Sequence, residues 1–250
     1  MISAYGQTDI GQRRTLNEDC ILVGSDLFVL CDGMGGHKSG EVASALAADV
    51  VSGFMRRSAE DTELTWPYGF DPQISYAANR LHTAIKLANR AVFRKAASGE
   101  DYTGMGTTIA AVLAQPGGAR ITYASVGDSR IYLVRDGRMT QLTRDDSWAA
   151  VWQGEGNDSD ATGPLKNVLT KAVGAREDVD FEVRDLEIES GDIVLLCSDG
   201  LTNMVPDSTI LNLVTANGDD LEAACRALID CANAQGGRDN ISVILIRRSR

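Results

Sequence analysis

The chain has 250 residues, 44% of them hydrophobic and 24% charged, and carries a net charge of −11 from 35 acidic against 24 basic side chains. That length builds a core without disulfide staples, and a field of that sign opposes nucleic acid and anionic lipid as partners. No apolar run approaches the roughly 18 to 20 residues that span a bilayer, and the start, Met1-Ile2-Ser3-Ala4-Tyr5-Gly6, lacks the basic and apolar regions of a leader, so a cytoplasmic protein without membrane attachment is expected.

Strand signals come first, at Ile2 to Thr8, Cys20 to Val23 and Leu27 to Cys31. A helix is predicted from about Ser39 to Arg56, with Val42, Leu46, Val50 and Phe54 on one stripe. Residues Arg57 to Gln73 hold two prolines and mixed charge and read as a surface loop. Asp71-Pro72 suits the N-cap and first turn of a second helix, whose apolar positions are Ile74, Ala78, Leu81, Ile85, Ala88 and Val92. Strands then follow at Thr107 to Ala114, Ala119 to Val126 and Arg130 to Val134, separated by turn signals such as Asp136-Gly137. Gln153 to Pro164 is polar and glycine-rich, an expected surface flap within about 145–166. Further strands are predicted at Val168 to Ala172, Phe181 to Ile188, Ile193 to Cys197 and Ile241 to Ile246. A last helix, about Asp220 to Ala234, is stopped by Gly236-Gly237. Runs of strands with helices set apart favour an α+β design, antiparallel sheets covered by helices, in a single domain over 1–250. The five cysteines, Cys20, Cys31, Cys197, Cys225 and Cys231, show no C-x-x-C spacing and read as buried thiols of a reducing compartment.

Acidic residues cluster at strand ends. Asp32-Gly33 closes Leu27 to Cys31, Asp199-Gly200 follows Ile193 to Cys197, and Gly127-Asp128-Ser129 separates two strands. Gly237-Arg238-Asp239-Asn240 precedes the last strand, and Asn17-Glu18-Asp19 opens another. Asp-Gly is also a common turn signal. Repeated at so many strand ends, however, it suits carboxylates aimed into one cleft, the oxygen ligands that hard divalent cations require.

The ordered motifs Arg14-x-x-Asn17-Glu18-Asp19, Asp32-Gly33-Met34-Gly35-Gly36, Gly106-Thr107-Thr108, Gly127-Asp128-Ser129-Arg130, Ser198-Asp199-Gly200 and Gly237-x-Asp239-Asn240 resemble the bacterial form of the metal-dependent serine/threonine protein phosphatases, type 2C. The resemblance runs from about residue 5 to 246 and implies a chain without a fused sensor or anchor. It also implies a four-layer α-β-β-α sandwich of two antiparallel sheets flanked by helices, with a two-metal centre at one end. By resemblance, Asp32 bridges two Mg2+ or Mn2+ ions, and the Gly33 carbonyl, Asp199 and Asp239 complete the first site. Glu18 holds the second ion through water with Asp19 in support. Asp128 with Asp199 forms a possible third site, Arg14 grips the substrate phosphate, and Asn240 steadies the Asp239 loop. Two cations about 3.5 to 4 Å apart activate a water for direct attack on phosphorus, with no phospho-enzyme. The implied substrates are phosphoserine and phosphothreonine proteins, a serine/threonine kinase among them, and the implied enzyme is a monomer.

Some positions depart from that pattern. Met34 has no proton to donate to a leaving group, His37 lies in a glycine-rich stretch, and His82 falls beside an apolar helical stripe. Asp146 stands where a histidine is usual in the resembled family, and Leu165-Lys166-Asn167 replaces the common Pro-x-Arg-Asn, changes that bear on substrate preference. Two rival readings are an inactive phosphatase-like scaffold and another two-metal hydrolase acting on phosphodiesters. The intact acidic set opposes the first, and the negative charge opposes nucleic acid as substrate for the second.

Overall fold

A computed structural model describes residues 1–35, 39–61, 65–148, 150 and 168–249. The expected flap from Gln153 to Pro164, the Leu165-Lys166-Asn167 segment and His37 lie outside the described residues. The chain begins with β1 (Ile2–Asp9), β2 (Asp19–Val23) and β3 (Leu27–Met34), then α1 (Ser39–Glu60) and α2 (Tyr76–Ala96). Next come β4 (Gly106–Thr107), β5 (Ile109–Ala114), β6 (Arg120–Val126), β7 (Arg130–Arg135), β8 (Arg138–Gln141), β9 (Val183–Glu187) and β10 (Ile193–Cys197). The chain closes with α3 (Asp199–Thr202), α4 (Asp207–Ala216), α5 (Leu221–Ala234) and β11 (Ile241–Arg248).

The strands form two antiparallel sheets, ordered β1-β11-β10-β7-β8 and β2-β3-β5-β6-β9, with β4 paired to β3. Period-two alternation sorts each central strand between two cores. In β3, Phe28 and Leu30 meet Val112, Ile131, Val194 and Ile244 between the sheets, whereas Leu27, Val29 and Cys31 face α1 and α2. In β10, Val194 and Leu196 point inward while Ile193, Leu195 and Cys197 pack under α4 and α5. The result is the expected α-β-β-α sandwich. Its central strands read as continuous apolar runs because both faces are buried.

Several local expectations need correction. The buried side of α1 is Ala43, Ala47, Val51 and Phe54, while Val42, Leu46 and Val50 are only partly buried. Alanines let the helix lie close on the sheet, so the stripe of larger side chains marks its flank. The second helix is capped by Ser75, whose Oγ accepts from Ala78 N at 3.0 Å, and Asp71-Pro72 and the exposed Ile74 lie outside it. Asp71 instead receives its order from Asn79, which accepts from Asp71 N and donates to Asp71 O, both at 2.8 Å. Val168 to Ala172 is no strand: Leu169 bridges Ser147 and, just beyond, Val173 bridges Thr107. Phe181 to Ile188 contracts to β9, Asp32-Gly33 continues β3 rather than ending it, and β8 and α4 had no sequence expectation.

Leu30 is fully buried between the sheets. Leu30→Ala is expected to lower unfolding free energy by about 2 to 5 kcal/mol, since a two-sided core collapses little around a void. Urea denaturation monitored by circular dichroism reads this; a loss under about 1 kcal/mol contradicts the packing described.

Candidate active site

The acidic strand ends converge at one end of the sandwich. Asp32 and Gly33 lie near the end of β3, where Gly33 pairs with Thr107 of β4, and Asp19 lies directly opposite Asp32 in register. Asp128 occupies the turn between β6 and β7, Asp199 opens α3 after β10, and Asp239 precedes β11. Together with Arg14 and Glu18 from the β1–β2 loop, they line a cavity of about 630 Å3 that also includes Met34, Thr108 and the stretch Val168 to Ala172. Asp19 stands behind this wall, its Oδ2 accepting from Ser242 Oγ at 2.6 Å.

Glycine follows the aspartate at two of these strand ends for a steric reason. A Cβ on Gly33 would stand 2.2 Å from Gly40 O, and one on Gly200 would stand 2.0 Å from Asn240 O. Only a bare backbone lets β3 meet α1 and lets α3 meet the Asp239 loop this closely.

Hydrogen bonds fix the loops. Thr108 Oγ1 accepts from Asp32 N at 3.0 Å and shares a 2.7 Å hydrogen bond with Ser129 Oγ, and Thr107 Oγ1 donates to Asp32 O at 2.8 Å. These bonds give the Gly106-Thr107-Thr108 motif a positional role that its sequence did not specify. Asn240 is the hub on the other side. Its Nδ2 donates to Ile10 O and Leu16 O at 3.0 and 2.9 Å, and its Oδ1 accepts from Glu18 N at 2.9 Å. Asp239 is steadied too, since Oδ1 accepts from Asn240 N at 2.9 Å and Oδ2 from Arg14 Nη2 at 2.7 Å.

The electrostatics follow from that crowding. Burial first, then repulsion from Asp19, Asp199 and Asp128, holds the Asp32 carboxyl well above the usual carboxylate range. Burial and the neighbouring Asp199 push Asp128 up to about 7, while burial and Asp239 push Asp199 up to about 6. Burial likewise raises Glu18, whose Oε1 is enclosed without a hydrogen-bond partner. The hydrogen bond to Asp239 raises the Arg14 guanidinium further. Among the described residues no three carboxylates close into a finished cage; like charges stand apart, and Asp239 is bound to Arg14. An all-oxygen donor set with raised proton affinity and an orphaned carboxylate oxygen nevertheless fits a hard divalent cation.

Other candidates fall elsewhere. Cys31 and Cys197 are fully buried in the helix-facing cores, and burial holds the Cys31 thiol well above its ordinary value and pushes Cys197 up to about 12. Neither is a nucleophile for the cavity. His82 stacks on Phe181 with ring centroids 5.2 Å apart, and Arg13 is exposed. No helix among the described residues is long and apolar enough to cross a membrane. Sequence reading missed Lys171, which lines the cavity and lies 3.3 Å from Asp146. The two are 25 positions apart, and nothing in their local sequence signals the pairing.

The protein phosphatase 2C family model matches residues 12–245. The serine/threonine phosphatase stp of Listeria innocua is 35% identical over 97% of this chain and 94% of its own length. Among solved structures, Stp1 from Staphylococcus aureus superposes with a TM-score of 0.86 at 32% identity, covering 100% of this chain and 96% of that one. The catalytic domain of the phosphatase PstP in complex with two manganese ions does so at 0.82 and 32%, covering 100% and 99%. On this sequence match and this fold, the chain belongs to the protein phosphatase 2C family and is a serine/threonine phosphatase of that type.

Proposed function

We propose that the chain hydrolyses phosphoserine and phosphothreonine monoesters in proteins by direct attack of water, at a centre of two divalent cations, Mg2+ or Mn2+. The observation that carries this reading is the convergence of Glu18, Asp32, Asp128, Asp199 and Asp239 with Arg14 on one cavity. Asp32, Asp199, Asp239 and the Gly33 carbonyl would hold one cation, and Asp32 with Glu18 the other, with Asp19 in support. Asp128 with Asp199 would hold a third, weaker ion. The cations supply the Lewis acidity that lowers the pKa of water and shields the phosphoryl oxygens.

The chain's own groups do the rest. Arg14 offers a planar fork of donors to the phosphate, and it stands on the cavity wall beside the carboxylates. Thr107 and Thr108 clamp the Asp32 backbone, so the carboxylate is fixed before substrate arrives. Met34 has no ionisable proton, so the leaving seryl or threonyl oxygen would take its proton from metal-bound water or from another group. The expected substrates include a serine/threonine kinase, and the enzyme is expected to act as a cytoplasmic monomer.

Hydrolysis of a phosphothreonine peptide with manganese is expected to vanish with excess chelator and to fall at least about a thousandfold in Asp239→Asn. Stoichiometric metal binding without turnover by the folded wild type would favour the inactive scaffold. Arg14→Ala is expected to raise KM for the peptide roughly tenfold with a smaller change in kcat. An unchanged KM would return this arginine to a purely structural pairing with Asp239.

Proton linkage gives a third outcome. The folded pKa values of Asp128 and Asp199, about 7 and about 6, exceed their unfolded value near 4. The native state therefore binds more protons across that interval, and stability falls as pH rises from about 4 to about 7. In chelator, Tm is expected to drop over this window, and Asp128→Asn or added manganese should flatten the drop. An unchanged slope in both would remove the cluster as its cause.

A further inference from the structure

The cavity that holds the acidic centre adjoins a second one, of about 690 Å3, and Thr170 and Lys171 line both. Lys171 is thus on the ridge between them. Its position is set from two sides. The backbone beyond it is bonded to β4, with Thr107 N donating to Val173 O at 3.0 Å and Val173 N to Thr107 O at 2.8 Å. The ammonium is held 3.3 Å from Asp146 Oδ1.

Asp146 is itself immobilised. Its N donates to Gly127 O at 2.9 Å, its O accepts from Thr170 N at 2.8 Å, and its Oδ2 accepts from Gly127 N at 3.2 Å. A carboxylate fastened at these points does not follow the lysine; it places the lysine. The ammonium keeps donors beyond this one contact and remains partly exposed, at 43%.

The second cavity also presents Arg144, which is exposed and has no ion-pair or hydrogen-bond partner among the described residues. The other basic side chain there, Arg184, is already committed to Glu182. The acids Asp145 and Asp146 are likewise paired, with Arg130 and Lys171, and the exposed Asp180 lies 3.9 Å from Lys86. Among the described lining residues, Arg144 is thus the charge without a partner and Lys171 keeps donors beyond Asp146, beside a catalytic cavity whose wall is acidic. A peptide whose phosphoresidue enters the first cavity can lay a neighbouring residue across the ridge.

Resting on the phosphatase reading above, we infer that the second cavity is a docking subsite for an acidic side chain flanking the phosphoresidue. Lys171 and Arg144 supply its cations, and Asp146 is the positioning residue that aims Lys171. The chain is thereby biased toward phosphopeptides of acidic context.

The test uses the manganese-loaded protein and two phosphothreonine peptides that differ only in carrying Glu or Gln beside the phosphoresidue, on either side. Binding is followed by titration calorimetry and hydrolysis by kcat/KM. The wild type is expected to prefer Glu by roughly three- to tenfold at low salt, the range for half-exposed charge contacts, and less at high salt. Arg144→Ala and Lys171→Met should each reduce the ratio, the double variant should bring it to about one, and Lys171→Arg should retain it. Asp146→Asn keeps an acceptor for Gly127 N but loses the ion pair, and should lower the ratio through KM rather than kcat. Equal treatment of the two peptides by the wild type, or a preference that survives in the double variant, overturns the subsite. Arg144→Ala alone decides the matter if the Lys171 variants do not fold. Binding with a Glu preference but no hydrolysis would overturn the catalytic reading and leave the subsite standing.

Discussion

Mutual repulsion among carboxylates is the constraint to which the rest of the structure answers. Asp32, Asp128, Asp199 and Asp239 face one cavity, with Asp19 directly behind Asp32, and the proton affinities of Asp19, Asp32, Asp128 and Asp199 are raised. No chain holds such a set by the attraction of its members, so the scaffold has to impose it. It does so by rooting the acids in different strand ends of two sheets that share one apolar interface. Leu30 two residues before Asp32, and Leu196 three before Asp199, anchor the backbone in the same core. The cost of this crowding shows in the raised proton affinities.

The polar bonds around the site divide the labour. Thr107, Thr108 and Ser129 join β3 to the Asp128 turn, so acids from two hairpins move as one unit. Asn240 joins the loop carrying Arg14 and Glu18 to the strand carrying Asp239. Arg14 bonds to Asp239 and raises the local positive potential, so one guanidinium offsets part of the cluster's charge.

Much of this was legible in the residues. Asp199 was visible because it closes an apolar run and Asp239 because it stands just before one, and a run closing in Asp-Gly supplies the bare backbone needed for close approach. Gly33 and Gly200 show why the second residue matters, since each faces a carbonyl within contact distance. The face of α1 was not legible, because its core side is made of alanines and periodicity favours larger side chains. Strand β8 escaped because Arg138 to Gln141 is a short, largely exposed edge with one partner. Helix α4 buries only Ile210 and Val214, too few to mark a stripe. Val168 to Ala172 has strand-like residues but is used as a wall, held by single bridges on either side. The pairing of Asp146 with Lys171 is spatial and leaves no local trace at all.

The hub at Asn240 carries a consequence for the order of folding. Its partners lie 222 to 230 residues away along the chain, and β1 is paired along its whole length with β11. Contacts of such separation close late, because loop entropy must be overcome before they return any energy. Arg14 and Glu18 are therefore expected to join Asp239 late, with the pairing of β1 to β11 rather than that of β10 to β11, whose residues lie closer in sequence.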